Sequence, residues 1–330
     1  MARRKLTIHP KVAEVVALFE AQALHAARSG REVMSALAVV ASDSPAASVD
    51  SLSAELEANL EALLQVMPAY APPLNVMHQV FAEVERGRDA RLPLAELKSK
   101  LAQTATDYQA WSSRARQEIA GNALPLITPG STIFTFTLSE TVLSVLREVH
   151  RRGAQFRVLV TESRPNNDGR LTARLLSDEG IEVGLGIDAS VGELLAQADL
   201  MLVGAEAVLS DGSAICKVGT YPSALAARRS NVPVFVLVDT MKLHVGSLFG
   251  EALRLDPIQP TSLPGAKAVD GLAVTGHLFD RTPGALITAL VTEKGIVHPS
   301  QAGTWMLGMP FSQTVAGKLR RREPSREQGD

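Results

Sequence analysis

Two apolar stretches of this sequence end in residues that could grip an anion. Residues 158–161 run into Glu162-Ser163-Arg164-Pro165, and Leu200-Met201-Leu202-Val203-Gly204 runs into Ala205-Glu206. Lys217, Gly219 and Thr220 follow at an expected helix start, where an ammonium, backbone N–H groups and a hydroxyl converge, an arrangement suited to an anion. Arg164 and Arg170 flank the turn Asn166-Asn167-Asp168-Gly169. Their planar forks can hold a phosphate through paired hydrogen bonds, although the same turn also reads as an ordinary solvated loop. Glu206 closes the most apolar of the expected strands, and its carboxylate is either an acid/base group or the ion-pair partner of Lys217. Together these loops suggest a phosphorylated ligand.

Such groups are useful only if strands and helices carry them to one edge. From Pro10 to about Gly121 the pattern is helical: Val12, Val15, Val16 and Phe19 recur at helical spacing, as do Leu52, Leu56, Leu60, Leu63 and Leu64. Pro68, Pro72 and Pro73 interrupt it, a short helix is expected from about Leu74 to Arg86, and a longer one opens at Pro93. After Leu124 the chain alternates short apolar strands, at 131–137, 156–161, 181–186, 200–204, 232–238 and 271–274, with helices at 139–151, 170–178, 191–197 and 222–229. A last helix is expected over 283–292, closed by Glu293-Lys294-Gly295. Alternation of this kind predicts a doubly wound, mostly parallel α/β sheet behind an amino-terminal helical domain. In such a sheet, ligands bind beyond the carboxyl ends of the strands. The expected division is a helical domain at 1–123, a sheet domain at 124–313 and a disordered polar tail at 314–330.

Composition excludes several classes. With 33 Lys and Arg against 35 Asp and Glu, the net charge of −2 argues against a direct nucleic-acid partner, which calls for a basic excess. The seven histidines are scattered and have no cysteine partner, so no metal site is expected. Gly184-Leu185-Gly186 is only part of a dinucleotide fingerprint, and no P-loop or nucleophile elbow is present, so no cofactor is expected. Cys216 is the only cysteine, which rules out an intramolecular disulfide. Arg3-Arg4-Lys5 is not followed by an apolar stretch, and no apolar run reaches the roughly 18 residues of a membrane span, so a cytoplasmic location without a membrane partner is the expectation.

The same residues carry a family likeness. Thr161-Glu162-Ser163-Arg164-Pro165, Gly169-Arg170-Leu171-Thr172-Ala173, Asp188-Ala189-Ser190-Val191, Gly204-Ala205-Glu206 and Lys217-Val218-Gly219-Thr220, with Phe279-Asp280-Arg281-Thr282-Pro283 further on, form an ordered series. It resembles the family uniting the alpha, beta and delta regulatory subunits of translation initiation factor 2B with methylthioribose-1-phosphate isomerase and ribose-1,5-bisphosphate isomerase. The resemblance implies a Rossmann-like carboxy-terminal domain and a homodimer or larger assembly built through it. It also implies a phosphorylated sugar or nucleotide-derived ligand held by Arg164, Gly169, Arg170, Cys216, Lys217, Gly219 and Thr220. The family's isomerases use a cysteine in T-H-C-[NH]-S and an aspartate in G-A-D. Here Thr137 stands at the cysteine, Phe136 at the histidine and Glu206 at the aspartate, while Cys216 replaces the asparagine of N-K-[IV]-G-T. A threonine hydroxyl needs an adjacent base where a thiol does not. The resemblance therefore implies binding without turnover, with aldose-ketose isomerisation of a ribose phosphate as the alternative and translation-factor subunits as candidate partners. Cys216 either substitutes functionally or packs as a small apolar side chain.

Overall fold

The computed structural model describes residues 8–21, 23–68, 70–251, 253, 255–259, 262–263 and 273–321. By contacts the chain divides into two units, one of Met1–Ser112, His244–Leu253 and Met306–Asp330, the other of Ser113–Leu243 and Arg254–Trp305.

The first unit is helical. It holds α1 (Pro10–Glu20), α2 (Ala26–Asp43), α3 (Val49–Val66), α4 (Ala71–Asp89) and the first part of α5 (Leu94–Ala123). Its core is built from apolar residues three and four apart: Val33, Met34, Leu37 and Val40 on α2, Leu52, Leu56, Leu60 and Leu63 on α3, and Met77, Val80, Phe81 and Val84 on α4. Pro72 and Pro73 open α4 instead of delaying it to Leu74, because the first turn of a helix has no use for their missing N–H groups.

The second unit is built on a seven-stranded sheet. Its strands are β1 (Thr132–Thr135), β2 (Arg157–Thr161), β3 (Glu182–Gly186), β4 (Leu200–Gly204), β7 (Val234–Leu237), β9 (Ala289–Thr292) and β10 (Gly295–Val297), in the order β10-β9-β7-β4-β1-β2-β3. All neighbours are parallel except the β9–β10 hairpin. The remaining strands, β5 (Ala207–Val208), β6 (Ala214–Lys217) and β8 (Phe279–Thr282), make a small antiparallel sheet. Helices α6 (Glu140–Arg151), α7 (Asp168–Asp178), α8 (Val191–Leu195) and α9 (Thr220–Arg229) are the crossovers, and the short α10 (Ala302–Met306) comes after the last strand. Helix α6 shows why they form: Ser139 caps it by accepting from Val142 N, and Val142, Val145, Leu146 and Val149 line its buried face. That face joins Ile133, Val158, Leu202 and Val291 of the sheet in one core. Strand order reverses between β1 and β4, which makes their carboxyl ends the switch point of the sheet.

Three expectations fail. The stretch 283–292 is not a helix: a single tight turn at Gly284–Leu286 leads into β9, whose four residues are all buried between β7 and β10. A short apolar run reads alike as buried helix or buried strand, and the β-branched Val291 and Thr292 tipped the balance. The tail is ordered as α11 (Gln313–Arg320), with Val315 and Ala316 buried and Lys318 paired to Glu57 and Glu61, while residues 322–330 lie outside the described residues. Of the strand expected at 271–274, Gly271 and Leu272 lie outside the described residues, and Ala273 and Val274 are not in a strand.

Candidate functional site

At the carboxyl end of β1 the chain turns through Phe136 and Thr137, and Thr137 takes a left-handed backbone with φ 64°. Its hydroxyl lies 3.5 Å from Asp168 Oδ2, and its carbonyl accepts from Thr172 Oγ1 at 2.9 Å, which ties it to α7. The Lys217 ammonium also reaches Asp168 Oδ2, at 3.2 Å, and lies 5.8 Å from the centre of the Phe279 ring. One carboxylate thus joins a hydroxyl from β1 and an ammonium from β6.

Asp168 is held in place by its loop. Gly169 presses so closely on the end of β2 that a β-carbon there would fall 1.8 Å from the Thr161 carbonyl oxygen. Asn167 precedes Asp168 in a left-handed conformation at φ 61°, so the turn delivers Asp168 as the first residue of α7. The neighbouring N–H groups of Ser163 and Arg164 are committed to the Asp188 carboxylate, at 2.8 and 2.7 Å. Arg170 pairs with Glu162, whereas the Arg164 guanidinium has no hydrogen-bond or ion-pair partner among the described residues.

The second helix start is also taken. Asp280 on β8 accepts from Gly219 N at 2.8 Å and from Tyr221 N at 3.0 Å. Burial outweighs these donors and pushes the Asp280 carboxyl up to about 6. Gly219 turns with φ 103° over the Phe136 ring, where a β-carbon would sit 2.5 Å from the ring edge, and Thr220 Oγ1 turns inward to the Lys217 carbonyl at 2.7 Å. The backbone donors of Gly219 and Tyr221 therefore face a carboxylate of the chain itself.

Strand alternation separates Glu206 from Lys217. Glu206, just ahead of β5, donates its N–H to Ile215 O and its carboxylate acts on the Cys216 thiol, which stands opposite Asp280 on β8. Lys217, one position on from Cys216 along β6, points to the other face and stands opposite Phe279. The ion pair considered between Glu206 and Lys217 is absent among the described residues, because Asp168 holds Lys217 instead. Cys216 is buried, and its thiol is pushed well up, first by burial and then by the Asp280 and Glu206 carboxylates. It packs as a neutral group.

Two groups that sequence reasoning overlooked complete the edge. Asp239 follows β7 as Glu206 follows β4, and burial raises its carboxyl against the pull of Lys242. The Lys242 ammonium donates to the Ala205 carbonyl. The signal was available, since both carboxylates stand two residues past an apolar strand, but the Val-Asp-Thr run carried no motif. Several buried oxygens along this edge have no hydrogen-bond partner among the described residues: Thr161 Oγ1, Ser163 Oγ, Asn167 Oδ1, Glu206 Oε2 and Asp239 Oδ1. Among the described residues no three His, Cys, Asp or Glu side chains are arranged to hold a metal ion, and no helix is long and apolar enough to cross a membrane.

A mostly parallel sheet with polar loops gathered at the switch point defines a doubly wound α/β protein. The chain belongs to the Initiation factor 2 subunit family, whose model matches residues 24–299. It is 32% identical over 211 residues to the ribose 1,5-bisphosphate isomerase of Methanocaldococcus jannaschii, covering 64% of this chain and 68% of the relative. It is 33% identical to a putative translation initiation factor eIF-2B subunit 2-like protein of Pyrococcus furiosus, covering 63% of this chain and 72% of that one. The crystal structure of translation initiation factor eIF-2B from Pyrococcus horikoshii superposes with a TM-score of 0.73 at 25% identity, over 89% of this chain and 99% of the other.

Proposed function

We propose that the chain binds a phosphorylated sugar at the carboxyl edge of its sheet and acts as a regulatory, non-catalytic member of the family, as a cytoplasmic homodimer or larger assembly. The observation that carries this reading is the set of unpartnered buried oxygens at Thr161, Ser163, Asn167, Glu206 and Asp239. Buried acceptors call for donors, and a sugar offers a ring of hydroxyls. Arg164, whose guanidinium has no partner among the described residues, suits the phosphate. The chemistry of turnover is less well served. Thr137 stands where the family's isomerases carry a cysteine, and Asp168 Oδ2, the acceptor 3.5 Å from its hydroxyl, is already engaged by the Lys217 ammonium at 3.2 Å.

The test is a melt and an assay together. Ribose 1,5-bisphosphate at about 100 times its Kd is expected to add roughly 2.7 kcal/mol, a shift of several degrees, with no ketose product formed. No shift would remove the ligand reading. Single-product turnover lost in Glu206→Gln would replace regulation by catalysis, the reading that the isomerase relative favours. Light scattering decides the assembly, and a monomer mass would count against it.

A further inference from the structure

Besides Arg164, two features suited to an anion lie at this site, the Lys217 ammonium and the start of α7, and both are filled by Asp168. A carboxylate in the first turn of a helix meets the positive end of the helix dipole, and here the same oxygen also faces the ammonium. Lys217 is almost buried, with 9% of its side chain exposed, and Asp168 is 29% exposed, so their attraction is only partly screened by water. The loop keeps Asp168 in place: Gly169 against the Thr161 carbonyl and the Thr172 bond to Thr137 leave α7 little room to retreat. A phosphate arriving at Lys217 meets a resident negative charge at the position it needs.

We infer that Asp168 is a specificity-determining residue, an internal counter-ion that competes with the ligand's phosphate for Lys217 and so sets how tightly an anionic sugar is held. This rests on the sugar-phosphate reading above. A phosphate dianion must displace or crowd the carboxylate, whereas the unphosphorylated sugar, bound through its hydroxyls, is indifferent to it. The residue lowers affinity for the phosphorylated ligand and narrows the margin between phosphorylated and free sugar.

Isothermal titration of ribose 1,5-bisphosphate and of ribose into the wild type, Asp168→Asn, Asp168→Ser and the double variant Asp168→Asn/Lys217→Ala tests it. Asp168→Ser keeps a helix-start acceptor without the charge, and circular dichroism establishes that each variant is folded. The expected result is an increase of about tenfold in affinity for the bisphosphate in both single variants, no change for ribose, and loss of the gain in the double variant. If the wild type binds the bisphosphate and neither folded single variant binds it more tightly, the counter-ion role is overturned while the sugar-phosphate reading stands. A gain that survives in the double variant also overturns it, because Lys217 would not be the group set free. If no variant binds the bisphosphate, the sugar-phosphate reading itself falls, and the inference falls with it.

Discussion

The two units bury charge in opposite ways. In the helical unit, His78 and His244 are buried and the Glu251 side chain is nearly so, and His78 Nε2, both nitrogens of His244 and both carboxylate oxygens of Glu251 lack a hydrogen-bond partner among the described residues. Ser312 N donates to His78 Nδ1 at 3.1 Å, which leaves the proton on Nε2, 3.7 Å from Glu251 Oε2. In the sheet unit, Lys217 is paired with Asp168, and Asp280 is met by backbone donors. The difference separates burial from partnership. Donors and cations lower a carboxyl only as far as desolvation allows, and Asp280 is displaced upward despite its donors. His244, with fewer partners, is displaced toward its own neutral form, so both groups move away from charge.

The largest consequence concerns His244. Burial carries its imidazole down from 6.5 to about 4, with the Glu251 charge opposing and His78 assisting. The unfolded chain therefore takes up this proton first as pH falls. Stability from this group is complete above about 6.5 and is lost as pH drops through that value towards 4, roughly 3 kcal/mol in all. Urea unfolding at a series of pH values is expected to show this loss in the wild type and not in His244→Gln. An equal acid loss in both proteins would break the comparison.

Asp280 runs the other way and by less. Its folded value of about 6 lies above the ordinary 3.8, so the unfolded chain ionises first as pH rises. Stability from Asp280 is complete below 3.8 and is lost as pH climbs to about 6, about 2 kcal/mol for a group that is only partly shielded. Relative to Asp280→Asn, the wild type should become less stable between pH 4 and pH 7. A flat difference over that range would mean that the backbone donors, not burial, set the state of this carboxyl.

The sheet was legible because period and punctuation agreed: strands β1 to β4 and β7 stand within the stretches expected, and helices α6 to α9 follow them. The site was legible only as chemistry. Lys217, Arg164 and Glu206 stand at strand ends as expected, but their partners depend on register. Alternation along β6 sends Lys217 to Asp168 and leaves Cys216 facing the Glu206 and Asp280 carboxylates, and no local pattern encodes which strand lies next to which. Asp280 reaches back 61 residues to the Gly219 N–H, a contact that only the β6–β8 pairing creates. The carboxy-terminal segment was misread for a related reason. Its polar composition looks solvated, yet two residues of its eight-residue helix, Val315 and Ala316, are buried.

That segment yields the smallest effect and the most local test. Ser312 caps α11 by accepting from Val315 N at 3.3 Å while its hydroxyl donates to Glu85 Oε1 at 2.8 Å; Thr314 N donates to the same oxygen at 2.9 Å. Burial raises the Glu85 carboxyl, but the donors from Thr314 and Ser312 outweigh it and leave it below its ordinary range. Glu85 is thus held ionised by the helix it anchors, the opposite balance to Asp280. Replacing Ser312 with alanine removes the cap and one of the carboxylate's donors, a loss of about 1 kcal/mol. Because α11 is short, the loss should appear as local opening before it lowers global stability. Hydrogen exchange at Thr314 and Val315 should accelerate about fivefold in Ser312→Ala, with the amides of α3, which Ser48 caps by accepting from Ser51 N, unchanged. Unaltered exchange at α11 would show that the helix is held by Val315, Ala316 and the Lys318 ion pairs alone, and that the polar anchor at Glu85 contributes nothing measurable.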